Sequence, residues 1–144
     1  MASGSGFSRF PLAFVAGFAA VLVFHQGMLT LLHYAGVTQA APFSMHSTKP
    51  FGLPAVWSLS FWGGIWGLVF AIFDRLFPKG VGYWIWAIIF GAIGPSLVAW
   101  FIVLPMKGLP PAARWKPLGM LTGLLVNGAW GLGTAFFLRR FSRS

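Results

Sequence analysis

The chain has 144 residues, 58% hydrophobic, 18% aromatic and only 8% charged. A soluble domain carries about a quarter charged residues and is about half apolar, so this composition leaves too little polar surface to face water. The net charge is +9, from ten Lys and Arg against a single acid, Asp74. Because the cations lie between and beyond apolar runs, they are expected to meet lipid headgroups and fix topology, and nucleic acid is not an expected partner.

A helix needs about 20 apolar residues to cross the hydrocarbon core of a bilayer. Four segments qualify, at about residues 11–34, 53–77, 81–104 and 117–138. None contains Asp, Glu, Lys or Arg before its last turn. In the first span, Arg9 and a weak Thr38-Gln39-Ala40 cleavage pattern resemble a secretory signal. Its apolar run is longer than an h-region of about 7–15 residues, so retention is expected. Pro11 is placed near the start of this helix.

The first connection, from Tyr34 to Gly52, holds His46, Lys49 and several hydroxyls. The second span then runs to Phe77, and Pro78-Lys79-Gly80 makes a tight turn into the third. Pro95 lies inside the third span and is expected to kink it. The connection from Pro105 to Lys116 is Pro-rich, and Pro117 opens the fourth span. The expected fold class is an all-α membrane protein, a four-transmembrane-helix bundle forming one domain over residues 1–144. One side holds Arg9, Arg75, Lys79, Arg139, Arg140 and Arg143. The other holds Lys49, Lys107, Arg114 and Lys116. The positive-inside rule then places both termini in the cytoplasm, with a bacterial inner membrane as the expected location.

The chain resembles itself. Gly63 to Phe77 reads GGIWGLVFAIFDRLF, and Asn127 to Phe141 reads NGAWGLGTAFFLRRF, with eight of fifteen positions identical. Lys49-Pro50-Phe51-Gly52 is echoed by Lys116-Pro117-Leu118-Gly119. Spans one and three share little beyond hydrophobicity. Two tandem helical hairpins, with halves at 1–77 and 78–144, are therefore expected, related by a parallel pseudo-twofold axis along the membrane normal. Gly63 and Gly67, with Gly64 beside them, and Gly119 and Gly123 have the spacing that lets helix backbones approach closely. Gly128, Gly131 and the paired Trp66 and Trp130 complete the predicted packing set, within the chain or between chains.

Few residues carry chemistry. His25 is the one titratable side chain well inside a span, and such residues are functional candidates by default. It lies roughly 21 Å along the helix from Pro11, and Asn127 lies roughly 15 Å from Pro117. A His25–Asn127 hydrogen bond between spans one and four is expected, with Gln26 able to join this polar clasp or ligand site. His25 and Met28, three apart, suggest copper, with His33 and His46 further along. A haem would need a second histidine from another chain. Neither metal is the expected reading, and no cofactor is predicted. The chain has no Cys, which removes thiolate chemistry. Asp74 sits beside Arg75, where an ion pair is expected, and one carboxylate cannot support paired-carboxylate catalysis. Ser44, Ser47 and Lys49 make only a weak Ser-Lys pattern. The chain is not expected to be an enzyme. The expected role is a structural or accessory membrane subunit, partnered by the bilayer and by itself or other membrane chains. An oligomeric channel or transporter for a neutral or anionic solute is the first alternative. A haem- or copper-binding subunit using His25 is the second.

Overall fold

The computed structural model describes residues 5–49 and 51–143, with side chains from Arg9 onward. Pro50, part of the Lys-Pro echo, lies outside the described residues. Four helices are long and apolar enough to cross a membrane, Arg9–Tyr34, Ala55–Leu76, Val81–Met106 and Pro117–Ser142, and we label them α1 to α4.

Helix α1 begins before its apolar run, at Ser5, so Pro11 lies inside the helix and not at its start. Its α-helical part ends at Ala20, a single π-helical turn follows over Val21–His25, and α-helix resumes over Gln26–Tyr34. Helix α3 is built alike, with a π-helical turn at Ala99–Val103 shortly after Pro95. Both helices stop in the same way at the far end. Gly36 (φ 80°) and Gly108 (φ 75°) take the left-handed conformation. Val37 N–H then donates to Leu32 O, and Leu109 N–H to Leu104 O, both at 2.9 Å. These are Schellman caps, which satisfy carbonyls that a helix end leaves orphaned.

The first connection folds back to cap α2. Ala55 N–H donates to His46 O and Val56 N–H to Ser44 O, satisfying donors that Pro54 leaves at the helix start. The connection between α3 and α4 carries a left-handed turn of non-glycine residues, Ala112 to Trp115, with φ between 52° and 60°. Lys116 is extended, and Pro117 occupies the first turn of α4.

Within each hairpin the helices cross at backbone contact. A Cβ built on Gly67 would strike Ala13 O and the backbone of Gly17, and one on Gly131 would strike Ala87 O and the backbone of Gly91. In the reverse direction, Gly17 faces the carbonyl of Gly63, and Gly91 that of Asn127. The α1–α2 and α3–α4 crossings therefore use matched residues. Spans one and three share an Ala-x-x-x-Gly pair, beyond the hydrophobicity expected of them.

The hairpins meet differently on their two sides. Helices α1 and α4 pack closely, with Phe24 against Gly133 and the Trp130 indole bonded to Gly17 O. Between α2 and α3 the contact is aromatic. Phe90 inserts among Trp66, Phe70, Phe73 and Phe77. An open apolar groove of about 530 Å³ runs beside it, lined by Phe73, Phe77, Trp86, Ile89 and Ile93 among others.

Candidate functional site

Two polar assemblies stand out in a body this apolar. The first joins all four helices at the end where α1 and α3 begin and α2 and α4 finish. Asp74 is 6% exposed. Arg9 Nη2 donates to both of its carboxylate oxygens at 2.9 Å, and Arg9 Nη1 donates to Ala71 O at 3.1 Å. Tyr83 from α3 donates its hydroxyl to Asp74 Oδ2 at 2.8 Å. Arg139 from α4 lies 3.9 Å above the Tyr83 ring and 5.5 Å from that of Trp84. The carboxylate is thus surrounded by donors, as a charge removed from water requires.

The expected Asp74–Arg75 pair is not the one formed. Adjacent residues on a helix do not face each other, and Arg75 is exposed. The guanidinium comes instead from Arg9, sixty-five residues away, across the α1–α2 crossing. Sequence reasoning missed it because no local pattern links the two.

The second assembly sits toward the opposite end. Phe43 N–H donates to Gln26 Oε1 at 2.6 Å. A backbone N–H can only donate, so this bond fixes which way the amide points. Gln26 Nε2 then faces His25 Nδ1 at 3.2 Å, making Nδ1 the acceptor and leaving the ring proton on Nε2. His25 closes the π-helical turn of α1, a local widening that often marks functional positions. Gln26 thus ties the first connection to the middle of the bundle.

The predicted residues are distributed between these features. Asn127 donates to Ser96 Oγ at 2.9 Å, a bond between α3 and α4. The expected His25–Asn127 clasp is therefore replaced by two separate ones, His25–Gln26 and Asn127–Ser96. His46 pairs with Ser44 Oγ at 2.6 Å, which takes that hydroxyl away from any Ser-Lys arrangement. His33 lies edge-on to Tyr34. Among the described residues, no three His, Asp or Glu side chains gather closely enough to hold a metal, and His25, Met28, His33 and His46 do not form one cluster.

The glycines are shared out similarly. Gly63, Gly67 and Gly131 sit at backbone crossings, and Gly64 lies under the Phe14 ring. Gly128 meets Ile88 and Ala92, Gly123 meets the Trp100 ring, and Gly119 meets Ala113. The two aligned tryptophans differ. Trp130 is 3% exposed and donates Nε1–H to Gly17 O at 3.1 Å, whereas Trp66 lies at the α2–α3 side against Phe90. Gly17 and Gly91, unnoticed in the sequence, are the other halves of the crossings. The signal that would have found them is the Ala-x-x-x-Gly spacing.

No protein-family model, no curated protein and no solved structure matches this chain.

Proposed function

We propose that the chain is a multi-pass integral membrane protein of two tandem hairpins, with a structural or accessory role. The matched crossings and matched Schellman ends support a duplicated plan. The single observation that carries the structural role is the filled centre of the bundle. The indole of Trp130 occupies it, bonded to Gly17 O, edge-on to Phe70 and 3.2 Å from a Cβ position on Gly63. A route for solute between the helices would have to displace this ring. The glycines at the crossings and the Trp130 ring are spent on internal packing, so an outside partner would meet exposed apolar side chains such as Ile85, Trp86, Ile89 and Ile93 of α3.

Two measurements test the reading together. In sealed liposomes, the protein is expected to pass chloride and glycerol no faster than empty liposomes do. A photo-crosslinker replacing Ile89, activated in native membranes, is expected to give one protein adduct of fixed mass. Flux that Trp130→Ala increases would favour the channel alternative. Adducts with lipid alone would remove the accessory-subunit role.

A further inference from the structure

The node around Asp74 leaves a charge unanswered. A cavity of about 280 Å³ opens beside it, lined by Arg9, Asp74, Tyr83, Arg139, Ser142 and Arg143 among others. Three guanidiniums therefore face one carboxylate. Both oxygens of that carboxylate are bound by Arg9, and one also by Tyr83. Arg139 and Arg143 stand four residues apart at the end of α4, a spacing at which like charges repel. The chain contains no second acid to compensate them. An anion entering the cavity would supply the counter-charge.

We infer that this cavity binds a phosphate group, held by the forked donors of Arg139 and Arg143 with the Ser142 hydroxyl also lining it. Guanidinium matches phosphate through paired, charge-assisted hydrogen bonds. The stacking of Arg139 on Tyr83 fixes that fork before the ligand arrives. Arg9 neutralises Asp74, so the carboxylate does not repel an anion. The cavity lies at the end of the helices, at the depth of lipid headgroups if the helices span a bilayer. A phospholipid headgroup and a free phosphate ester share this chemistry.

Native mass spectrometry of the full chain in neutral detergent separates them. Phosphatidylglycerol, phosphatidylcholine and inorganic phosphate would each be titrated. One phosphatidylglycerol is expected to stay bound after activation, and Arg143→Gln is expected to weaken it roughly tenfold, the loss of one charged hydrogen-bonding group. Arg143 is exposed, so this variant should keep the wild-type melting temperature. Lys107→Gln with Lys116→Gln, at the opposite end, should leave binding unchanged. A bound lipid that millimolar inorganic phosphate does not displace assigns the site to a headgroup. One that it displaces assigns the site to a soluble phosphate. No retained phosphatidylglycerol and no phosphate adduct, or equal weakening by the Arg143 and the Lys107/Lys116 variants, would overturn the inference.

Discussion

Asp74 accepts three hydrogen bonds on two oxygens, and its loss should be felt by all four helices. Asp74→Asn removes the charge but keeps the shape, leaving Arg9 partly buried without a counter-ion. Breaking a buried pair in this way costs on the order of 3 kcal/mol. Arg75→Gln, on an exposed neighbour, should cost almost nothing. Thermal unfolding of both variants in the same detergent checks the contrast, and equal melting temperatures would remove the node as a structural tie. A sole carboxylate near a cluster of basic residues was visible in the sequence, but its partner was not. Nor was the direction of the Gln26 amide, which depends on a loop donor seventeen residues away.

At the scale of the helices, the matched crossings predict matched penalties. Gly67→Ala and Gly131→Ala each push a methyl group into a carbonyl of the facing helix. Backbone on both sides leaves little room to relax, so each should destabilise by about 3 kcal/mol, the upper part of the usual range for overpacking. Gly27 also lies within a helix, yet nothing stands within 4 Å of its Cβ position. Gly27→Ala should therefore stabilise by roughly 0.5–1 kcal/mol through helix propensity alone. Unfolding titrations of the three variants test this, and a large loss for Gly27→Ala or none for Gly67→Ala would contradict the crossings. The Gly-x-x-x-Gly pattern identified one half of the α1–α2 crossing. It hid the partner half, and the matching half on α3, because Ala13 and Ala87 hold the second small position, and alanine is unremarkable in an apolar helix.

For the whole molecule, the prediction is topological. The chain has no Cys, so single cysteines report cleanly. A membrane-impermeant maleimide should label Lys79→Cys and Arg143→Cys from one side of sealed vesicles. It should label Lys49→Cys and Lys107→Cys from the other. Labelling of Lys79 and Lys107 from the same side would break the four-crossing arrangement, and vesicles of known orientation would test the cytoplasmic placement of the termini. The four helices were legible because hydropathy depends on composition over about 20 residues and needs no knowledge of partners. The unequal joints between hairpins were not. They depend on Trp130 turning inward while its aligned counterpart Trp66 turns toward Phe90, a choice made by tertiary packing among similar rings.

The Arg9–Asp74 pair also bears on how the chain is made. Both residues belong to the first hairpin, while Tyr83 and Arg139 follow it in synthesis. The acid can therefore be neutralised as soon as α2 reaches α1, before α3 and α4 exist. The second hairpin then arrives at an acid already paired and adds a phenol and a cation–π contact beside it. A chain with one acid and ten cations thus places that acid where the earliest possible neighbour is a partner from its own half.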